Sequence, residues 1–508
     1  MERVDLLIVG GGINGAGIAR DAAGRGLSVL LCEQHDLAAH TSGASSKLIH
    51  GGLRYLEHGE FALVAKALAE RSVLLRLAPH LIRPQRFVLL PQPGLRPAWQ
   101  IRLGLFAYDY LGTLAGVGGH GAFAASHAID LHRHPAGAVL GHPAGSAYEY
   151  GDATVDDARL VIANAVDAAS RGAEILPRTR CVAAQRHGDH WQVRLQREGD
   201  ASQLVSARAL VNAAGPWAAC LLGQIGQPAA PLRLVRGSHI VVPRLYEHDR
   251  AYVLQQPDRR IVFVIPWQRD YTLIGTTESD FTGDPASVAA DDAEVDYLCA
   301  AVNAQFRQSI TPADVVWRYS GVRPLLGGAG EATALSRDYR LQLDTAAAPL
   351  LNVWGGKLTT YRKLAEQAVN QLAPLLGCSK PAWTAHGDAL PGGELGDPAH
   401  WLAEFCIAYP WLPDEVAARW VYSYGAWARC LIGDAASLAD LGEHFGAGLH
   451  AREVDYLRRC EWATTVDDIL WRRSKLGLTM PADGIARLQR YLARPQGSTL
   501  GHAVHHCD

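Results

Sequence analysis

Short apolar runs and segments with apolar residues every three to four positions alternate along this chain. Val4-Asp5-Leu6-Leu7-Ile8-Val9 reads as a buried strand, glycines and a helix follow, and Ser28-Val29-Leu30-Leu31-Cys32 reads as a second strand stopping at Glu33. Over 60–77, Phe61, Val64, Ala65, Leu68, Ser72 and Leu75 share one helical face, and Pro79 and Pro84 end the helix. Residues 95–112 are rich in Trp, Leu, Phe and Tyr, and Pro97 suits a first helical turn. Leu95, Trp99, Leu103, Phe106 and Tyr110 line one face, with Arg102 and Asp109 at its edge. This pattern fits both an interfacial helix and a buried one. The stretch 115–148, rich in Gly, Ala and His, has no assignable period.

A helix is predicted over 156–170, capped by Asp156 or Asp157 and ended by Gly172. A strand at 173–176 and a hairpin through 191–195 and 209–212 follow; the latter strand runs into Ala213-Ala214-Gly215-Pro216-Trp217. Segments 234–242, 260–267 and 271–276 read as an antiparallel sheet, different in kind from the opening unit. A helix near 291–307, a strand at 350–354 meeting Gly355-Gly356, and a helix from about 359 to 376 come next. His386-Gly387-Asp388 and Pro391-Gly392-Gly393 mark a linker over 386–398, and from 401 onward the pattern is helical.

The junction of first strand and first helix carries the most specific chemistry. Gly10-Gly11-Gly12-Ile13-Asn14-Gly15 is a Gly-x-Gly-x-x-Gly turn. Gly10 permits the tight bend, Gly12 lets the backbone approach a pyrophosphate, and Gly15 lets helix and strand pack closely. The helix N-terminus supplies free N–H groups and positive dipole. Glu33, at the end of the second strand, is placed to accept the ribose hydroxyls of an adenosine. The chain interrupts this unit with β-rich sequence and returns at 350–376. That plan suits a flavoprotein, whose long cofactor needs a wall from later sequence, better than a nicotinamide dehydrogenase.

Composition narrows the classes. Charged residues at 19% and hydrophobic residues at 48% describe a soluble globular chain of two to four domains. A net charge of −3 supplies no global field for nucleic acid. No apolar stretch reaches the roughly 18 residues of a transmembrane helix, and no export signal is visible. Nine cysteines without a C-x-x-C pair predict reduced thiols and no zinc site. The cluster His502, His505, His506 and Cys507 reads as a polar tail, so no metal is expected.

Four constellations follow the fingerprint. In Thr41-Ser42-Gly43-Ala44-Ser45-Ser46-Lys47-Leu48-Ile49-His50-Gly51-Gly52-Leu53-Arg54-Tyr55, hydroxyls can donate to a pyrophosphate. Lys47, His50, Arg54 and Tyr55 offer donors for an anion or a proton relay. Tyr319-Ser320-Gly321-Val322-Arg323-Pro324 fixes an arginine fork for an anion or developing oxyanion, and Arg337 is a similar candidate. Gly355-Gly356-Lys357-Leu358-Thr359 opens a helix whose N-terminus could stabilise charge on a reduced ring, with Lys357 at its edge. Arg236-Gly237-Ser238-His239 puts one histidine in a strand.

GGGINGAGIARDAAGRGLSVLL, SSKLIHGGLRYLEHGEF, VDDARLV, NAAGPW, RGSHIVVP, IVFVIPW, SGVRPL and GGKLTTYRKLAE together resemble the flavin-dependent, respiratory glycerol-3-phosphate dehydrogenases over roughly residues 1–385, and more weakly beyond. The resemblance implies an α/β + α protein. It would have a Rossmann-like FAD-binding domain (1–80, 151–230 and 331–385), an inserted antiparallel-sheet substrate cap (81–150 and 231–330) and a C-terminal helical domain (401–508). FAD is expected on Gly10, Gly12, Asn14, Gly15, Glu33, Thr41, Ser42, Ser45, Ser46, Leu48, Gly215, Gly356, Leu358 and Thr359. Arg54, Tyr55, His239, Arg323, Arg337 and Lys357 are expected around sn-glycerol 3-phosphate, with Arg54 and Arg337 on its phosphate. Oxidation to dihydroxyacetone phosphate needs a base, for which His50, His239 and Lys357 are alternatives, while Arg323 holds the oxygen. The resemblance also implies peripheral attachment to the cytoplasmic face of the membrane, electron transfer to quinone and a possible homodimer. The rival readings are a glycerol-3-phosphate oxidase using O2, an amine or amino-acid oxidase on the same scaffold, and a flavin-binding protein without turnover.

Overall fold

The opening strand, Glu2–Val9, lies inside a sheet, in parallel with Val29–Cys32 on one side and Gln203–Asn212 on the other. Leu6 and Ile8 pack under the helices Ile13–Gly24, Asp157–Ser170 and Tyr361–Leu372, while Val4 and Leu7 face Cys181, Trp191 and Val193. Burial on both faces explains why this strand is a nearly continuous apolar run rather than an alternating one. The structure, a computed structural model, describes residues 2–92, 94–114, 123–143, 145–228, 231–327, 338–385 and 388–494. In the first sheet the order is Arg340–Asp344, Leu350–Trp354, Gln203–Asn212, Glu2–Val9, Val29–Cys32, Glu174–Leu176. The hairpin Thr179–His187/His190–Arg197 joins it through Gln203–Asn212.

The second sheet has ten strands and gathers sequence from both inserted segments. Its pairings among the described residues are antiparallel except one: Ala251–Gln255 runs parallel to Ile82–Leu90. That ladder is where the two insertions meet, and no local pattern announced it. The helix Asp292–Asn303 starts on a capping box between Asp291 and Glu294 and covers one face. Ala98–Leu114 covers the other through Ile101, Leu105 and Tyr108.

Asp156, rather than Asp157, caps Asp157–Ser170 by accepting from the Arg159 N–H at 3.1 Å. The helix Phe61–Leu77 forms where expected, but its buried face is turned. Val64, Leu68, Leu74 and Leu77 are inside with Glu70 and Arg71, and Phe61 is exposed. Ion pairs to Arg362 and Asp152 let those two charged residues lie inside, which an apolar count cannot register. The helix expected from 359 begins as a short 3-10 turn, Leu358–Thr360, before Tyr361–Leu372. After 397 the chain is helical around Phe405, Trp420, Leu431 and Leu457, with one short hairpin, His444–Gly446/Leu449–His450. Among the described residues seven cysteines are free thiols and Cys430 is disulfide-bonded, against the expectation of reduced thiols throughout. The tail cluster 502–507, Arg337, His386 and Gly387, and residues 115–122 and 144 lie outside the described residues.

Candidate active site

The fingerprint turn closes as its glycines predict. Gly10 has φ +118°, and a Cβ there would lie 2.4 Å from the Ala213 carbonyl oxygen; at Gly15 it would lie 1.9 Å from the Gly10 oxygen. The strand and helix therefore touch through backbone alone. The Glu33 carboxylate accepts from the Gly11 N–H at 2.7 Å and the His35 N–H at 2.8 Å, and burial raises its pKa. Ile13, in the first turn of the helix, donates its N–H to Ser42 Oγ at 3.0 Å.

Tertiary contacts bring the remote constellations to this turn. Asn14 Nδ2 donates to the Gly355 carbonyl at 3.0 Å, across 341 residues, and Thr359 Oγ1 lies 3.3 Å from the backbone of His50. Thr41 Oγ1 donates to the Val322 carbonyl at 2.6 Å, and the Tyr319 hydroxyl to the Ser45 carbonyl at 2.8 Å. The second sheet is thus tied directly to the loop after Glu33. Between these elements runs one cavity of about 960 Å³. Glu33, Thr179, Arg180 and Trp217 line one part of it, and His50, Arg54, Tyr55, Arg260, Phe263, Arg323 and Lys357 line another.

Of the expected site residues, Gly10, Gly12, Asn14, Glu33, Thr41, Ser42, Ser45, Ser46, Leu48, His50, Arg54, Tyr55, Gly215, Arg323, Gly356, Lys357, Leu358 and Thr359 line this cavity. Gly15 sits beneath the turn as a packing residue. His239 is buried directly behind the cavity lining, with Nε2 2.9 Å from Ser46 Oγ and its ring stacked on Tyr319 at 4.9 Å. Gly237, two residues earlier on strand Leu232–Pro243 and so on the same face as His239, lines the cavity. Burial, reinforced by Arg323 and Lys47, holds the His239 imidazole well below its ordinary pKa, so it is neutral near pH 7. Lys47 departs from expectation. It is not an anion donor at the wall but a buried partner of Asp157 at 2.8 Å, and Asp157 also accepts from the Ser45 hydroxyl at 2.8 Å.

Contacts fix two of the four cations in the far part of the cavity. Lys357 Nζ stands 3.6 Å over the Tyr55 ring, and Arg323 Nη2 donates to Thr276 Oγ1 at 3.2 Å. Thr276 and Arg260 were not singled out in the sequence. Their only signal was position, polar residues beside the apolar strands Tyr271–Gly275 and Ile261–Trp267.

The wall fits a dinucleotide carrying a flat ring. It combines a glycine turn at a helix N-terminus, an acidic strand end, and an Asn14 Oδ1 that is buried without a protein partner. A second helix N-terminus, with Gly355 at φ +68° and Gly356 at φ +105°, supplies open backbone opposite.

Comparison with known proteins agrees with this reading. A family model described as FAD dependent oxidoreductase matches residues 5–362. The chain is 52% identical over 497 residues to a glycerol-3-phosphate dehydrogenase of Pseudomonas aeruginosa, covering 97% of this chain and 95% of that one. It is 47% identical over 500 residues to the aerobic glycerol-3-phosphate dehydrogenase of Escherichia coli, covering 97% and 98%. Its structure matches that of the glycerol-3-phosphate dehydrogenase from Bacillus halodurans complexed with FAD, with a TM-score of 0.73, 26% identity, and coverage of 96% and 94%.

Proposed function

The chain belongs to the FAD-dependent oxidoreductase family, and from that premise we infer that it is a glycerol-3-phosphate dehydrogenase, oxidising sn-glycerol 3-phosphate to dihydroxyacetone phosphate. The observation carrying this reading is the single cavity, with a nucleotide cradle in one part and Arg54, Arg323 and Lys357 in another.

When bound, FAD supplies the hydride acceptor for the substrate C2 carbon. Gly10, Gly12, Asn14 and Glu33 would hold its adenosine diphosphate half, and Gly215, Gly356, Leu358 and Thr359 its ring half. Ser42 holds the loop over the helix N-terminus, and Thr41 and Ser45 pin that loop to the second sheet and to Asp157. Arg54 takes the substrate phosphate; charge-assisted bonds fix it and exclude water. Arg323, oriented by Thr276, donates to the C2 oxygen as negative charge develops there. For the C2 hydroxyl proton the candidates are His50 and Lys357, which line the cavity, and His239, whose Nε2 lies 2.9 Å from the cavity-lining Ser46 Oγ. The two sheets support a division into a discontinuous FAD-binding domain and an inserted cap.

Electrons leave to a membrane quinone in this proposal. No described helix is long and apolar enough to cross a membrane. The helix Ala98–Leu114, however, exposes Trp99 (68%), Leu103 (60%), Phe106 (66%) and Tyr110 (55%) on one face, and Trp99 and Leu103 also line the cavity. An apolar face at the mouth of the redox site supports peripheral attachment to the cytoplasmic face of the membrane, with quinone entering beside this helix.

Anaerobic addition of glycerol 3-phosphate to the purified holoprotein tests the reaction. Loss of the yellow absorption is expected, with little bleaching by glycine or by a four-carbon polyol phosphate. An unchanged spectrum with glycerol 3-phosphate overturns the reading, and stoichiometric peroxide in air would move the acceptor from quinone to O2.

A further inference from the structure

Glu33 does not orient itself. One carboxylate oxygen is fixed by the His35 N–H at 2.8 Å, so its aim depends on where the turn after it lies. That turn is held from the C-terminal helical region. Asp36, buried, accepts from Arg472 Nε and from both terminal nitrogens of Arg473, whose own guanidinium is fully buried and also donates to the Glu461 carbonyl at 2.6 Å. A second tie runs through Arg178. Its N–H donates to the His35 carbonyl at 2.7 Å, and its Nη2 donates to both oxygens of Asp468 at 2.8 Å. Asp468 is fixed in turn by Arg472 and by the N–H groups of Thr464 and Thr465 at 2.7 and 2.9 Å. Three guanidiniums and the carboxylates of Asp36 and Asp468 thus form one network at the end of the 33–36 turn that follows the second strand.

We propose that Arg472 and Arg473, more than 430 residues from the fingerprint, are positioning residues for the adenosine end of the FAD site. They act through Asp36 on the 33–36 turn, and so on the path from His35 to the Glu33 carboxylate and the Gly11 N–H. Asp36, Asp468 and Arg473 are dry, so removing one member leaves an opposite charge buried and poorly paired. The turn relaxes towards water, and the carboxylate loses its aim. This gives the helical region a task in cofactor retention. The inference rests on the FAD site alone and not on the substrate or acceptor.

The test is a titration of full-length apoprotein with FAD, read by quenching of flavin fluorescence. Asp36→Asn is expected to raise the Kd for FAD at least tenfold, and Arg472→Gln, at a partly exposed position, at least threefold. Arg472→Lys, which restores the charge, recovers most of the loss. The control is Glu453→Gln, which breaks an equally buried ion pair with Arg419 lying wholly inside the helical region. It is expected to lower Tm yet leave the Kd within twofold. The proposal falls if Asp36→Asn and Arg472→Gln both bind FAD within twofold of the parent, or if Glu453→Gln weakens FAD as much as they do. Should Asp36→Asn not fold, the Arg472 pair decides alone. A failure of glycerol 3-phosphate to bleach the flavin leaves this titration untouched, so the two readings fail separately.

Discussion

Arg323→Met removes the cation placed to meet the substrate oxygen while keeping much of the side-chain volume. In the structure Arg323 lines the cavity, and Thr276 Oγ1 accepts from its Nη2 at 3.2 Å. A hydrogen bond to a charged group contributes about 1.5–3 kcal/mol, which corresponds to a roughly ten- to 150-fold loss in kcat/KM. Steady-state kinetics with glycerol 3-phosphate and an artificial electron acceptor, at measured FAD content, provides the assay. A residue that holds the oxygen as charge develops loses kcat, whereas a phosphate anchor raises KM with kcat kept. Arg323→Lys retains the charge but not the planar fork and should fall between. Thr276→Val, which releases the guanidinium without removing it, should cost about three- to tenfold, the equivalent of one ordinary hydrogen bond. If Arg323→Met keeps kcat/KM within threefold of the parent at full flavin occupancy, the assignment of this side chain to the substrate oxygen is wrong.

Three further outcomes are expected. Gly15→Ala sets a methyl carbon 1.9 Å from the Gly10 carbonyl oxygen, so the helix must leave the strand; about 1–3 kcal/mol of overpacking should appear as a lower Tm and at least tenfold weaker FAD binding, and parent-like values for both would refute the backbone contact. Burial pushes the His80 imidazole down to about 3, so the unfolded chain binds a proton below about pH 6.5 that the folded chain refuses. Stability is therefore present above that pH and lost as pH falls, by up to about 1.4 kcal/mol per unit for this group; His80→Gln should shrink the difference in urea stability between pH 7.5 and 5.5 by about 1.3 kcal/mol, and an unchanged difference would show that His80 is accessible. Replacing Trp99, Leu103, Phe106 and Tyr110 by Gln should reduce flotation with anionic vesicles more than tenfold, since each side chain buries about 1.5–3 kcal/mol of apolar surface on insertion; undiminished flotation would exclude this helix as the contact.

Much of this protein was legible as sequence, because the signals were local. The strand, glycine turn, helix and Glu33 lie within 32 consecutive residues, and backbone sterics at Gly10 and Gly15 admit few alternatives. Asp156 and Gly172 bounded a helix by capping chemistry that operates within one turn. The family motifs also ordered the remote constellations correctly along the chain.

What the sequence could not decide is which distant groups meet. The parallel ladder joining Ala251–Gln255 to Ile82–Leu90 depends on two insertions finding each other. Lys47 carried a residue type expected of a site, yet tertiary packing set it against Asp157. Glu70 and Arg71 read as polar positions and became core once partners arrived from elsewhere in the chain. The Asp36 cluster with Arg472 and Arg473 belongs to the same class. Local pattern reports backbone preference and hydropathy over a few residues, whereas a buried charge is tolerable only when its counter-charge arrives, and that arrival is decided by the closed fold.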